Sequence, residues 1–574
     1  MSSLSAEQKS IEEFMGSKRN FFLIPDYQRP YSWEDEECFT LWNDLIAFIF
    51  PDNDFKNFND KDEYFLGSLV VFKNDNDFLE VIDGQQRLIT LTLLLRAFYE
   101  VYGDNMKDSD SHDRKRDIEK CLWKTPEPGE KLNMSELKIF SNVATENESQ
   151  EFTNIMLTGQ ADPASKSRYA SNYRLFQGAI KNFLAQFPAY LPYLTHRILA
   201  NCSVLPIEAI NQTTALRIFA TLNDRGKPLS DSDIFKAKLY KAFSNNGQKG
   251  LFISQWREFE NICSKIFQSG KNNSVDDIFM RYMYCARAFA GIRDSGLESL
   301  RDFYTRDDNK FSLLNRDYSK TFTDLIILAD FWKDVTVQET KRFSDRVLKQ
   351  LFILHNMPTN MWTFLISVYF MSNKDENGKL NENDFCGFLR KITAFILASR
   401  LMRPGNNTPF FNAMADIAAG HEANFNGYEF DLKQLRERFL RFDFVNSSKL
   451  TKSFVVWQVF QDKYQPLLSL EVKFDIEHIL PRRREQELNN KSNLESIGNK
   501  SLLEREINIR ASDYRFRDKA NYYLGNTGKT KTNIHELIEL ANNLENFTEQ
   551  DIIIRTQKIL DGFIKFIQAN NLAK

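Results

Sequence analysis

The stretch FLEVIDGQQRLITLTLLLRAFYEVY, residues 78–102, decides how the first part of the chain folds. Phe78 to Ile82 is short, apolar and β-branched, which reads as a strand, and Leu88 to Tyr102 reads as a largely buried helix. Between them Asp83-Gly84-Gln85-Gln86-Arg87 forms a polar turn. A strand that turns into a helix can hold phosphate, because Gly84 lets the backbone approach closely and the helix N-terminus offers unpaired N–H groups. Arg87 adds a fork of donors suited to phosphate oxygens. Asp83 can accept from a ribose hydroxyl, ligate Mg²⁺ or act as a base, and Gln85 and Gln86 offer amides to a base edge or a water. The same five residues also suit a plain strand-to-helix turn with a capping Asp.

Upstream, Tyr64 to Phe72 (YFLGSLVVF) pairs with Phe78 to Ile82 as an expected hairpin, and Trp33 to Phe50 has helical spacing with Ser32 as its expected N-cap. Downstream, residues 104–135 are charged and contain Pro126 and Pro128, which predicts a loop or insertion. Ser203 to Ile210 predicts a further strand, and Thr213 to Leu222 and Asp231 to Phe243 predict helices around the turn NDRGKPLS. Helical periodicity then dominates to about residue 445, and helices are expected at 452–464 and 549–569 around an irregular segment containing DIEHILP. The expected fold is multidomain α+β and mainly helical: an α/β domain at 1–245, a helical middle at 246–445, and a C-terminal domain at 446–574.

Two further polar sets carry readable chemistry in the first domain. IPDYQRPYSW, residues 24–33, interleaves Tyr27, Gln28, Arg29 and Tyr31 between prolines, a composition suited to stacking on bases and gripping a backbone, or to a proline-rigidified core segment. FATLNDRGKPL, residues 219–229, gathers Asn223 and Arg225 in one turn. Near the C-terminus, Glu477 and His478 precede Pro481, and Asn499 and Asn508 follow. A neutral histidine can take a proton from water, while a neighbouring carboxylate projects in another direction along a strand and can hold a cation. His112, His196, His355, His421 and His535 stand without such company in the sequence.

Composition narrows the setting. The six cysteines are scattered singly, which argues against a disulfide framework or a thiolate metal site. No run approaches the length of a membrane helix, and the polar, acidic N-terminus is no signal peptide, so a soluble, cytoplasmic protein without membrane contact is expected. Net charge is only −3, yet residues 481–531 hold twelve Lys or Arg against seven Asp or Glu. Such a segment suits docked phosphates or a solvated helix face.

IPDYQRPYSW, VIDGQQRLITL and FATLNDRGKPLS, in that order, resemble the N-terminal domain of the GmrSD family of type IV restriction enzymes over residues 10–245. DIEHILP…SIGNKSLLEREINIRASDYRFRDKANYY resembles the family's C-terminal HNH domain over residues 470–525. The resemblance implies a ParB/sulfiredoxin-like first domain that binds, and often hydrolyses, a nucleoside triphosphate (GTP, ATP, UTP and CTP are not distinguished) through Asp83, Gly84, Gln85, Gln86, Arg87, Asn223 and Arg225. It further implies modification sensing or DNA contact by Tyr27, Gln28, Arg29 and Tyr31. In the HNH domain it implies His478 as general base, Asn499 as the brace of its loop, Glu477 and Asn508 as ligands of Mg²⁺ or Mn²⁺, and Arg482, Arg483, Arg484 and Lys519 at the DNA backbone. Lys500 departs from the pattern, standing where the family has an apolar residue after Gly-Asn. The implied activity is nucleotide-responsive nicking or cleavage of modified phage DNA, with two protomers or two events needed to cut both strands. A nuclease acting on RNA or unmodified DNA, and a nucleotidase or DNA-binding sensor with an inactive HNH domain, remain alternatives.

Overall fold

In the computed structural model, all residues are described except 1–3, 26, 27, 29, 104–108, 128–130, 144, 145, 212, 213, 216, 217, 219–229, 268–273, 295, 297, 307, 314–316, 403, 404, 424 and 529. They form two compact units, Met1–Tyr240 and Lys241–Lys574.

The first unit is built on a mixed sheet of seven short strands: β1 (Leu4–Ala6), β2 (Lys9–Ser10), β3 (Phe22–Ile24), β4 (Tyr64–Lys73), β5 (Leu79–Asp83), β6 (Ile139–Ser141) and β7 (Cys202–Ala209). Their order is β1-β7-β4-β5-β3-β6, with β2 also pairing β7. The expected hairpin is present, β4 running antiparallel to β5, while β4 and β7 run parallel. The helix Gln85–Tyr102 leaves the end of β5 and is buried almost all round, since Leu88, Ile89, Leu91, Leu93, Leu94, Leu95 and Phe98 cover more than one face. Gly84 makes this junction possible: its φ is +87°, and a Cβ there would lie 2.1 Å from Leu69 Cδ2.

Two expectations are corrected. Residues 109–122 form a helix rather than a loop: Ser111, Ile118, Cys121 and Leu122 line one buried stripe beneath a charged outer face that hides the periodicity. The helix expected from Trp33 spans Asp35–Ile49, because the backbone N–H of Ser32 is donated to Gln86 Oε1 (2.6 Å) and the N-cap falls to Glu34. The expected helix at 213–222 lies mostly outside the described residues.

The second unit opens with helices including Lys249–Cys263, Ser274–Phe289, Tyr318–Thr336, Met361–Asn373 and Glu382–Met402, as the periodicity predicts. No division falls near residue 445. Phe439, Phe454 and Phe563 pack ring against ring at centroid distances of 5.0–5.7 Å, so the helices Leu432–Leu440, Lys449–Val459 and Glu549–Ala569 share one core. Within this unit a two-stranded antiparallel ribbon, β8 (Phe474–His478) and β9 (Lys500–Glu504), is followed by the helices Arg505–Ala511 and Phe516–Leu524. Among the described residues no helix is long and apolar enough to cross a membrane.

Candidate active site

Strand alternation sorts the polar residues of β8 into two groups. Glu477 and His478 are neighbours, so their side chains leave opposite faces of the ribbon. On one face the Glu477 carboxylate, 3 % exposed, accepts from Lys519 Nζ (2.6 Å) and from Tyr523 Oη (2.5 Å). Lys519 also donates to the main-chain oxygen of His478 (2.7 Å), which stitches the strand to the helix Phe516–Leu524. Burial raises the Glu477 carboxyl above its ordinary value, with Lys519 and Tyr523 pulling it back, and burial and Glu477 raise the Tyr523 hydroxyl well above its own. Glu477 and Lys519 are therefore a closed internal ion pair in this structure, whereas the sequence expectation sets them at a metal ion and at DNA phosphate.

The other face carries His478. Its Nδ1 lies 3.3 Å from Asn446 Nδ2 and its Nε2 lies 3.3 Å from Glu495 Oε1. Lys500, paired with His478 in the β8–β9 register, brings its ammonium against Nε2 and donates to Asn446 Oδ1 (3.0 Å) and Glu495 Oε2 (2.6 Å). Arg482, exposed at the start of the turn after β8, reaches Glu495 Oε1 at 3.3 Å. Burial, then Lys500, push the His478 imidazole down to about 4, against the opposing pull of Glu495. Burial brings Lys500 down to about 8. Burial alone would raise Glu495, but Lys500, His478 and Arg482 hold its carboxyl below the ordinary range.

Asn499 secures the loop between the strands. Fully buried, it donates to Leu480 O and Leu494 O (3.0 Å each) and accepts from Leu480 N (2.7 Å). Gly498 beside it lies so close to the helix Glu549–Ala569 that a Cβ would fall 2.1 Å from Ile552 O. From that helix Arg555 donates to Gly498 O and Lys500 O. Asn508 is half-buried on the helix Arg505–Ala511, with no hydrogen bond recorded between it and His478, while Asn493 is committed to Glu549 (2.8 Å). Arg483 pairs with Asp513 and Arg484 with Glu487.

The residues gathered at His478 do not fit a resident Mg²⁺ or Mn²⁺. Glu477 is enclosed and charge-matched, and Glu495, the carboxylate that the described residues place beside the histidine, already meets two cations. Among the described residues the group with metal-ligand spacing is elsewhere: Asp462, His535 and Glu539. Its histidine Nδ1 sits 2.5 Å from Asp462, a pairing that a separation of 73 positions conceals in the sequence. Asn446 and Glu495 escape sequence reading for the same reason. Lys500 was visible only as a departure from the family pattern.

The motifs of the first unit do come together, but largely to bind one another. Gln28, buried, donates to Ile82 O (2.9 Å), and Gln86, buried, accepts from Ser32 N and donates to Pro30 O (3.1 Å). Tyr31 is a core residue, its hydroxyl bonded to Thr90 (2.8 Å) and Asn172 (2.9 Å) and its ring 5.0 Å from Tyr169. The sequence expectation sets Gln28 and Tyr31 at DNA and Gln86 at a base edge; here all three are buried on partners within the first unit. Gln85 is buried, Asp83 ends β5, and Arg87 donates to Ser68 O (3.0 Å). Arg87 also lines a cavity of about 480 Å³ with Trp33, Glu36, Glu37, Asp44 and Tyr64. Tyr27, Arg29, Asn223 and Arg225 lie outside the described residues.

The family model described as "GmrSD restriction endonuclease, N-terminal domain" matches residues 11–240, nearly the whole first unit. The model described as "GmrSD restriction endonucleases, C-terminal domain" matches residues 430–561 and so contains β8, β9 and the His478 cluster. No curated protein matches the chain. With both domain models matched in order over more than half of its length, the chain belongs to the GmrSD family of restriction endonucleases.

Proposed function

We propose that the second unit hydrolyses DNA phosphodiesters as an HNH nuclease with His478 as general base. In this reading His478 takes a proton from water, the water oxygen bonds to phosphorus, and the bond from phosphorus to the 3′ oxygen breaks. The products are a 5′-phosphate and a 3′-hydroxyl. The observation that carries the reading is an enclosed histidine at the end of a strand, held uncharged, with Asn499 bracing the loop beside it and Arg482 leaning in from the basic turn. Arg482 and Arg483, both more than half exposed as side chains, are the groups offered to the DNA backbone.

We further propose that the first unit, read as ParB/sulfiredoxin-like, binds a nucleoside triphosphate and senses modified DNA, and that nucleotide binding gates cleavage. Arg87 and the cavity it lines support this, with one constraint. Three carboxylates line that cavity, so a triphosphate suits it only with a divalent cation between.

The test is cleavage of modified phage DNA and of unmodified plasmid by wild type and His478→Ala, in Mg²⁺, Mn²⁺ or EDTA, with and without each nucleoside triphosphate. Wild type is expected to cut modified DNA, and His478→Ala to lose about 10²–10⁴-fold in rate. Equal cutting by both proteins would remove the base assignment. No cutting under any condition, with triphosphate still hydrolysed, would favour the nucleotidase alternative.

A further inference from the structure

A buried lysine against a histidine is an unusual neighbour for a proton acceptor. Lys500 opens β9, directly across the ribbon from His478, with its side chain wholly enclosed. Its ammonium has three contacts, and they are the groups that surround the imidazole: Asn446 Oδ1, Glu495 Oε2 and His478 Nε2. Asn446 in turn is fixed by donating to Ile476 O (2.9 Å), and it presents the same Nδ2 to His478 Nδ1. The four side chains thus form a closed polar cluster in which the ring touches a partner at each nitrogen.

We propose that Lys500, together with Glu495, is a positioning pair for His478. The proposal rests on the reading of His478 as the general base. An ammonium has only donors, so against Nε2 it favours the neutral ring, the form that keeps a lone pair for a proton from water. Glu495 Oε1, 3.3 Å from the same nitrogen, is placed to accept from Nε2 once the ring has taken that proton. Glu495 gives the ammonium somewhere else to go: Nζ is bonded to Oε2 at 2.6 Å, so it can withdraw from Nε2 towards the carboxylate without losing its counter-charge. Burial of the imidazole works in the same direction. An apolar side chain at position 500 could fill the space, but would leave both the ring and Glu495 without this partner.

The test uses the full chain and compares kcat and KM on one cleavable DNA for wild type, His478→Ala, Lys500→Met, Lys500→Arg and Glu495→Gln, with circular dichroism of each protein as the folding control. Lys500→Met is expected to lower kcat by about 10–100-fold, the scale for loss of a group that orients a reacting one, with KM nearly unchanged. Lys500→Arg should recover part of that loss. Glu495→Gln, nearly isosteric, should lower kcat in the same way and carries the test if Lys500→Met does not fold. An inactive His478→Ala alongside Lys500→Met and Glu495→Gln at wild-type kcat overturns the positioning role alone. A His478→Ala that cuts like wild type overturns the base assignment and the positioning role with it. A loss confined to KM overturns the proposal in favour of a DNA-contact role for Lys500.

Discussion

The first unit and the ribbon of the second handle their motif residues in opposite ways. Around Asp83–Arg87 the polar side chains are spent within the fold: Gln28 and Gln86 on main-chain groups of Ile82, Ser32 and Pro30, Tyr31 on the side chains of Thr90 and Asn172. Around Phe474–His478 they split by face, one side closed into the Glu477–Lys519–Tyr523 trio and the other gathered at a histidine. A recognisable motif is thus as much a set of struts as a set of reagents. Which residue is which depends on where its second hydrogen bond goes.

Three measurements press on this contrast. The largest effect is expected from Glu477→Ala, which strands Lys519 without a counter-charge inside the second unit. Breaking one side of a buried pair costs about 3–5 kcal/mol, so the unfolding midpoint of that unit should fall steeply. A Glu477→Ala protein of wild-type stability that has lost affinity for Mn²⁺ would move Glu477 from strut to reagent.

Next comes acid sensitivity. The His478 imidazole is held down to about 4 in the folded chain, against an ordinary value of about 6.5 when unfolded. As pH falls below about 6.5 the unfolded chain takes up a proton that the folded chain refuses, so stability should decline down to about pH 4 and level off with respect to this group. His478→Asn removes that component. Denaturant titrations at pH 7 and pH 4.5 should show a smaller drop for the variant than for wild type, and equal drops would mean the imidazole is free to charge.

The smallest effect is expected from Gln86→Ala. It leaves the N–H of Ser32 and the carbonyl of Pro30 without their partner, costing about 1–3 kcal/mol in the first unit. A variant as stable as wild type but unable to bind a nucleoside triphosphate would place Gln86 in the ligand site instead.

These contrasts also explain what was legible in the sequence. The β4–β5 hairpin, the buried helix after Asp83 and the helices from Lys249 onward follow from local periodicity. The helix at 109–122 was hidden by DRKRDIEK, a charged face that outweighs its four apolar or small contacts in composition. At the site, His478 is legible because Glu477 and Pro481 stand close to it in the chain, and Asn499 through the family resemblance, although its bonds reach Leu480, 19 positions away. Asn446 lies 32 positions from His478 and Lys519 lies 42 from Glu477, distances over which spacing carries no signal. The pairing of Lys519 is hidden for a further physical reason: a positive charge in a basic segment looks solvent-facing until its carboxylate partner is seen.

The clasp of Arg555 on Gly498 and Lys500 also has a temporal side. During synthesis the loop that carries Asn499 and Lys500 leaves the ribosome before the arginine that anchors it. At about 5–20 residues per second, the intervening stretch takes several seconds to make. A nascent chain halted before Arg555 carries every residue of the His478 cluster, yet lacks the brace on the loop beside it.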